Sequence, residues 1–597
     1  MTEYRAPLDD MRFVINDLVG LDRITALPGC EDATLDLVEA ILEEAGKLGS
    51  EVLAPLNQPG DEQGCIIENG VVRVPDGFKE AYQQFIDGGW NGLACDPEYG
   101  GQGLPWLVST AVSEVWQAAN MAFTLCPMLT QGAIELMHEH ASDALKAIYL
   151  ENLVSGVWPG TMNLTEPQAG SDLGRVRTKA VQEGEHYRIS GTKIFITHGE
   201  HDMSENIIHM VLARTPDAPD GVRGISLFVV PKFMVNEDGS LGQHNDLRCV
   251  SIEHKLGINA SPTAVMSFGD DGGAIGYLVG EENKGLAYMF TMMNNERLAV
   301  GLQGVAIADR AYQAARDYAR DRVQSRKIDG VNPEPVAIIE HPDVKRMLLS
   351  MRSQTEACRA LAYFVAGELD VASRHADDET RRQAQSQVDL LTPVVKAWCS
   401  DTGIEIASTG VQVHGGMGFI EETGAAQFYR DARITSIYEG TNGIQANDLV
   451  GRKIGRENGE SVKILVETIG HYLDGMNGAG NDDLGAIQDA MKNGIQDLRT
   501  ATDWIVATWG SDPAAVAAGA VPYLRLLGLV SGGWMMARAA EIAVTKSADG
   551  DADTAFLDNK IISARFFSDH LLAETSTLSR RVVYGGGTVA RIAAEGF

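Results

Sequence analysis

The texture of the chain changes twice, and the order of those changes limits the fold more than any single motif. Up to Val157 apolar residues recur at helical spacing, as in Leu35, Val38, Ile41, Leu42 and Ala45. At Trp158-Pro159-Gly160 the pattern shifts to short β-type runs at 186–190, 193–197, 207–213 and 225–230. Turn clusters such as Pro216-Asp217-Ala218-Pro219-Asp220-Gly221 separate them. From Gly285 helical spacing returns, with long helices expected over 298–326, 344–376, 522–544 and 555–579. Segregated blocks of this kind imply an α+β protein, mostly helical, and not an alternating parallel sheet. A chain of 597 residues exceeds one ordinary core. The expected divisions are an N-terminal extension over 1–35, a helical domain over 36–158 and a β domain over 159–280. A second helical domain follows over 281–450, then a polar, Gly-rich linker over 451–480 and an extra helical block over 481–597.

Charge narrows the partners. The net charge is −33, which repels phosphate backbones and anionic membrane surfaces. The seven cysteines are scattered and form no CxxC pair, so no metal site or disulfide framework is expected and a reducing compartment fits. The start MTEYRAPLDD has no apolar signal core, and no run of eighteen apolar residues occurs. The expected location is the cytoplasm.

Five local patterns carry chemistry. Gly101-Gln102-Gly103 and Gly415-Gly416-Met417-Gly418 lack the spacing and strand–helix setting of a Rossmann fingerprint. The loop 164–172, LTEPQAGSD, mixes hydroxyls, small residues and turn formers. Its N–H groups and hydroxyls can bind an anion or the polar edge of a ring, or simply close an Asx or Ser/Thr turn. The stretch Ile437-Tyr438-Glu439-Gly440-Thr441-Asn442-Gly443 sets an acid beside two glycines. A buried carboxylate next to an aromatic ring can act as a general base; a loop acid on the surface is the plainer alternative. Asn294-Asn295-Glu296-Arg297 reads as the head of an apolar helix with an N-cap and a first-turn acid. The run 318–326 has arginines spaced to share one helix face, suited to a diphosphate or to ion pairs.

Taken in order, these patterns resemble the acyl-CoA dehydrogenase family over residues 36–450. The loop 164–172 is similar to the family's flavin-binding signature, and IYEGTNGIQ over 437–445 is similar to its catalytic loop. Between them lie Ile194-Phe195-Ile196-Thr197, the Arg322 helix and Gln412-Val413-His414-Gly415-Gly416. The resemblance implies an N-terminal helical domain, a middle β-barrel-like domain and a C-terminal four-helix bundle, followed here by an extra C-terminal helical domain. It implies FAD as cofactor. Leu164, Thr165 and Ser171 would line the pyrimidine side of the flavin, Phe195 would pack on the ring, and Thr197 would bond near its reactive nitrogen. Arg322 and Gln324 would meet the diphosphate across a subunit boundary. Gln412, Gly416 and Thr441 would sit near the adenosine half.

Glu439 is then the expected catalytic base, removing the α-proton of an acyl-CoA while hydride leaves the β-carbon. Ser171, Asn294, Arg297, Tyr438 and Gly440 are expected at the substrate. Some family members carry the base at the position of Glu296, and this chain has an acid at both places. The length and the start Glu3-Tyr4-Arg5-Ala6-Pro7-Leu8 resemble a long bacterial branch acting on 3-methylmercaptopropionyl-CoA in dimethylsulfoniopropionate breakdown, giving methylthioacryloyl-CoA. The alternatives are a general short- or medium-chain dehydrogenase, an acyl-CoA oxidase, or a DNA-associated flavoprotein of the same superfamily. The last wants a basic C-terminal domain, whereas residues 451–597 hold 14 Lys and Arg against 18 Asp and Glu. An electron-transfer flavoprotein as acceptor and a homodimer complete the expectation, with no nucleic acid and no membrane partner.

Overall fold

A computed structural model describes residues 3–328, 330, 334–476, 481–550 and 553–597. The chain divides into two compact units. One comprises Glu44–Leu104 and Val115–Ala299; the other comprises Met1–Glu43, Pro105–Glu114 and Val300–Phe597. Among the described residues no helix is long and apolar enough to cross a membrane.

The first unit is built on helix α1 (Met121–His140) and one large sheet. Helix α1 starts where the Asn120 side chain accepts the Phe123 N–H, and it is apolar nearly all round because it is buried nearly all round. The sheet strands are β1 (Gly160–Asn163), β2 (Lys179–Glu183), β3 (His186–Thr197), β4 (Ile208–Ala213), β5 (Ser226–Pro231), β6 (Leu247–Ile252), β7 (Thr263–Phe268) and β8 (Ala274–Leu278). They pair in the order β6-β7-β3-β8-β5-β4-β1, with β2 also on β3; only β1–β4 is parallel. Every position of β4 and β5 is buried, so these central strands are apolar on both faces save for His209 and Ser226. Their alternate residues serve two cores. Ile208, Met210 and Leu212 pack with Leu129, Ala133 and Leu136 of α1. Val211 and Ala213 face inward with Ile189, Leu247, Met266 and Phe268, a core enclosed by the curl of the sheet.

The second unit is helical. It holds the later part of α2 (Gly285–Asp321), then α3 (Pro342–Arg374), α4 (Ser400–His414), α5 (Asn442–Asp448), α6 (Glu460–Gly475), α7 (Ala520–Asp549), α8 (Thr554–Phe566) and α9 (Thr575–Val589). Two features differ from the sequence reading. Residues 451–480 are not a linker: α6 buries Val462, Leu465, Val466, Ile469 and Leu473, a helical period that interspersed charges and glycines conceal. Trp509 packs onto Gly451 and Gly455 at distances that leave no room for a Cβ. The last part of that stretch, 477–480, lies outside the described residues. The helix expected over 555–579 is broken by a π-helical turn, Phe567–Leu571. The segment read as an N-terminal extension packs, over its described residues, into the helical unit by its apolar positions. Met11, Phe13, Val14, Ile15 and Leu18 are buried, and the Phe13 ring meets Phe556 of α8 edge-on at 5.7 Å.

A buried ionic network binds this unit together. The Arg359 guanidinium on α3, 2% exposed, contacts Glu114, Asp10 and Asp309. Tyr363 donates to Glu114 at 2.8 Å, and Lys560 on α8 pairs with Asp10 and with Glu356. Burial would raise the Asp10 carboxyl, but Lys560 and Arg359 outweigh it and hold it at about 2. Asp370 on α3 caps the helix Trp106–Ala119 by accepting the N–H groups of Trp106 and Leu107 at 2.7 and 3.0 Å; burial raises it to about 7. Removing one partner of such a network strands the rest without water. Arg359→Leu is therefore expected to cost about 3–5 kcal/mol, read as an earlier denaturant midpoint, while Asp10→Asn costs less because Arg359 keeps Glu114 and Lys560 keeps Glu356. An Arg359→Leu protein that unfolds at the wild-type midpoint would show that the network carries no stability.

Candidate functional site

In the sheet-bearing unit the loop after β1 is organised by a residue that sequence reasoning passed over. Glu166, 3% exposed, accepts from the N–H groups of Arg177 and Thr178, the Thr178 hydroxyl, the Gln168 amide and the Lys193 ammonium. Lys193 is fully buried and also donates to the Leu164 carbonyl at 3.0 Å. Burial alone would raise a carboxyl, but Lys193, Thr178 and the Arg177 N–H hold Glu166 at about 2. Burial draws Lys193 down to about 8 against the pull of Glu166. The pair is thus ionised at neutral pH, and it fixes the loop to the middle of β3.

The same strand presents Phe195. Between Ala264 and Met266 of β7 the partner residue on β3 jumps from Ile196 to Lys193, so β3 carries one extra residue. The resulting bulge puts Phe195 at φ 59° and leaves its ring 59% exposed. Bulges re-aim side chains in this way. Leu164 is nearly buried, and Thr165 and Thr197 are half-buried. Thr165 is tied to β3 by Ile194 N–H donating to its carbonyl at 2.9 Å. Ser171 lies exposed at the outer end of the loop, beside Asp172, which caps Gly174. An uncovered aromatic face beside hydroxyls and an apolar edge suits a flat heteroaromatic ring with a polar rim.

Helix α2 begins at Gly285, so 294–297 lies inside it rather than at its head. The apolar residues from Leu286 to Met293 extend the helix N-terminally past the Asn that looked like a cap. Asn294 and Arg297 pair on the outer face at 3.2 Å. Glu296 turns inward and is fully buried, its carboxyl filling the space a side chain at Gly132 would need.

In the helical unit, Ile437 to Thr441 form a tight loop ahead of α5. Glu439 is half-buried at φ 56°, and Gly440 follows at φ 82°. The Gln445 amide donates to the carbonyls of Glu439 and Gly440 at 3.4 and 3.2 Å. The Thr441 hydroxyl caps α5 by accepting the Ile444 N–H. Tyr438 donates its hydroxyl to Gln303 of α2. The Asn442 amide donates to Ala397, Ser400 and Asp401 and accepts from the buried Lys396 ammonium at 2.7 Å.

Arg322 and Gln324 lie beyond the end of α2, not on a helix face. Gln324 N–H donates to Val336 and Val336 N–H to Ser325, so 322–325 is drawn out into an extended bridge. The arginines of 318–326 therefore do not share one face; Arg322 instead meets the Gln324 side chain at 3.4 Å. Gln412 and Gly416 are exposed at the end of α4, where His414 stacks on Tyr318 at 4.5 Å. A cavity of about 420 Å³ lies beside them, lined by Tyr318, His414, Met417 and Phe428 among others. Leu164, Thr165, Ser171, Phe195, Thr197, Asn294 and Arg297 thus belong to one unit, and Arg322, Gln324, Gln412, Gly416 and 438–441 to the other.

Cys126, His198 and His201 also gather, with one possible ligand atom from each within 4.8 Å of the others. Their chemistry is that of neutral core groups. Burial takes His198 down to about 3 and raises the Cys126 thiol. The Met203 N–H occupies the lone pair of His201 Nδ1 at 3.2 Å, which leaves the proton on Nε2.

Comparison with known proteins divides the chain into four matched stretches. Residues 38–157 match the family described as acyl-CoA dehydrogenase, N-terminal domain, 161–270 its middle domain, and 283–454 its C-terminal domain. Residues 465–593 match the family described as acetyl-CoA dehydrogenase C-terminal like. The chain is 51% identical to 3-methylmercaptopropionyl-CoA dehydrogenase of Ruegeria pomeroyi over 98% of its length and 99% of that protein's. It is 36% identical to a butyryl-CoA dehydrogenase of Syntrophomonas wolfei over 94% of each. Among solved structures, Caenorhabditis elegans ACDH-11 in complex with C11-CoA superposes with a TM-score of 0.76 at 20% identity, over 96% of this chain and 95% of that one.

The Glu166–Lys193 pair has a pH signature. The folded carboxyl sits near 2 and the free one near 4.5. The unfolded chain therefore binds the proton first, and this stabilisation is lost as pH falls from about 4.5 through 2. Glu166→Gln removes that dependence and leaves Lys193 buried without its counter-charge. Denaturant titrations from neutral to acid pH should give a variant less stable at pH 7 and flatter across the acid window. A variant with the wild-type slope there would assign the slope to other groups.

Proposed function

The chain belongs to the acyl-CoA dehydrogenase family, and from that premise we propose that Glu439 is the base of an α,β-dehydrogenation that converts 3-methylmercaptopropionyl-CoA to methylthioacryloyl-CoA. The enzyme is an FAD-dependent oxidoreductase acting on acyl-CoA thioesters. The observation that carries the assignment of the base is the loop around Glu439, whose carboxyl is half-buried and whose backbone is held left-handed. The substrate assignment rests on the 51% identity over nearly the whole of both chains.

In this reading Phe195 would offer its exposed face to the flavin ring, Leu164, Thr165 and Ser171 would line the pyrimidine side, and Thr197 would bond near the reactive ring nitrogen. Arg322 and Gln324 hold the diphosphate, and Gln412, Gly416 and Thr441 serve the adenosine half. When bound, FAD supplies the two-electron acceptor for hydride from the β-carbon. Glu439 takes the α-proton, for which it must come within hydrogen-bonding reach of the α-carbon. Its own N–H supports the thioester oxygen, where negative charge gathers as the proton leaves. Tyr438, Gly440, Asn294 and Arg297 contact the substrate. Glu296, fully buried against Gly132, is in this reading a structural group or a second charge beside Arg297 and not the base. An electron-transfer flavoprotein as the re-oxidant, a homodimer and a cytoplasmic setting complete the proposal. The acidic balance of residues 451–597 favours packing over the bundle rather than a nucleic-acid role.

Anaerobic mixing with a panel of acyl-CoAs tests this directly. The bound flavin should bleach with 3-methylmercaptopropionyl-CoA and with short straight-chain thioesters. Bleaching by long-chain thioesters alone would overturn the substrate, and no bleaching at all the activity. Glu439→Gln should keep FAD and bind acyl-CoA yet slow flavin reduction by about ten-thousandfold or more, at or beyond the upper end for one acid–base group. Glu296→Gln should cost far less. The reverse ranking would move the base to α2.

A further inference from the structure

We infer that Gln303 is a positioning residue for the catalytic loop: through Tyr438 it holds Glu439 in the orientation that proton transfer requires. The inference rests on the reading of Glu439 as the base.

Glu439 sits at φ 56°. A non-glycine residue stays in that region only where its surroundings over-determine it. Downstream, the Gln445 amide takes the carbonyls of Glu439 and Gly440, and Thr441 caps α5. Upstream, Tyr438 is anchored by its hydroxyl to the Gln303 side-chain oxygen, across 135 residues of sequence. Gln303 is fully buried. An amide in that position needs a partner on its oxygen, and a phenol in a half-buried loop needs an acceptor; each supplies the other.

The two ends of the loop are held by one frame. Gly301 and Gly304 flank Gln303 on α2, and a Cβ on either would strike the π-helical turn Val395–Cys399. A Gly301 Cβ would lie 2.7 Å from the Val395 carbonyl, and a Gly304 Cβ 2.3 Å from the Cys399 carbonyl. The missing side chains let the turn lie directly on α2. That turn carries Lys396, whose ammonium holds Asn442 just past the loop, and the Asn442 amide donates back to Ala397 within the turn at 3.1 Å. So Gln303 fixes the residue before Glu439, Lys396 and Ala397 fix the third residue after it, and both anchors are rigidly joined. π-Helical turns are frequent at functional sites for this kind of reason: they aim a side chain that a regular helix would aim elsewhere. With the frame intact, the Glu439 N–H and carboxyl are presented together.

The role predicts a loss of rate rather than of affinity. Gln303→Leu keeps the volume and removes the acceptor. Flavin reduction at saturating 3-methylmercaptopropionyl-CoA, followed anaerobically by stopped flow, should slow about tenfold to a hundredfold, the scale of a misplacement near 1 Å. The Kd for a non-reducing acyl-CoA analogue should stay within about threefold, and FAD content should be unchanged. Gln303→Glu keeps an acceptor oxygen at the same reach and should recover most of the rate. Tyr438→Phe should reproduce the Gln303→Leu loss, and the double variant should be no slower than either single one. If Gln303→Leu does not accumulate, the partial loss in Tyr438→Phe and the rescue by Gln303→Glu carry the test. A Gln303→Leu rate within threefold of wild type overturns the inference, as does a loss confined to Kd or a double variant whose losses multiply. A wild-type protein that no acyl-CoA bleaches removes the parent reading as well; an active wild type beside an unaffected Gln303→Leu removes this inference alone.

Discussion

One buried guanidinium gathers carboxylates from three parts of the chain that lie far apart in sequence. Arg359 meets carboxylates from the N-terminal segment, from the helix Trp106–Ala119 and from α2, and Asp10 carries the network on to Lys560 of α8. Each of these charges would be costly alone in the interior. Together they are acceptable only in one mutual arrangement, so the network selects a register among helices whose apolar faces would tolerate several. The loop around Glu439 inherits that register, because α2 carries both Asp309 of the network and Gln303, the acceptor of the Tyr438 hydroxyl.

Two side chains central to the proposed chemistry, Phe195 and Glu439, are non-glycine residues at positive φ. Conformations of this kind cost on the order of 1–3 kcal/mol each. In each case a neighbouring buried charge or amide steadies the strained peptide. Lys193 sits two residues before Phe195 and ties the strand to Glu166, and Gln445 holds the carbonyls on either side of Gly440. At Phe195 the strained backbone leaves the side chain 59% exposed while the strand behind it remains fixed.

What could be read from the sequence was local or periodic. The loops 164–172 and 437–445 announce themselves because their turn formers and hydroxyls act within a few residues, and the block order of helices and strands follows from apolar spacing. What could not be read depends on distant partners. The bulge at Phe195 exists only because β7 pairs with β3 in a shifted register. The chain after Asp321 keeps a helical pattern, yet Val336 and Ala337 draw 323–325 into a bridge, and no residue within the pattern signals it. Helix α6 was hidden by composition, since its five buried apolar residues are diluted by charge and glycine. The anchors of the two loops, Glu166 with Lys193 in one unit and Tyr438 with Gln303 in the other, are pairs 27 and 135 residues apart, beyond what one sequence can couple.

The pairing of Asp10 with Lys560 also sets a timetable. The two residues are 550 positions apart, so at 5–20 residues per second roughly 30–110 s separate their emergence from a ribosome. During that interval Met11, Phe13, Val14, Ile15 and Leu18 have no finished surface to cover them, since part of their packing comes from α8. Residues 11–18 therefore lack part of their cover until α8 has been made. A segment made early is thus among the last to reach its final packing.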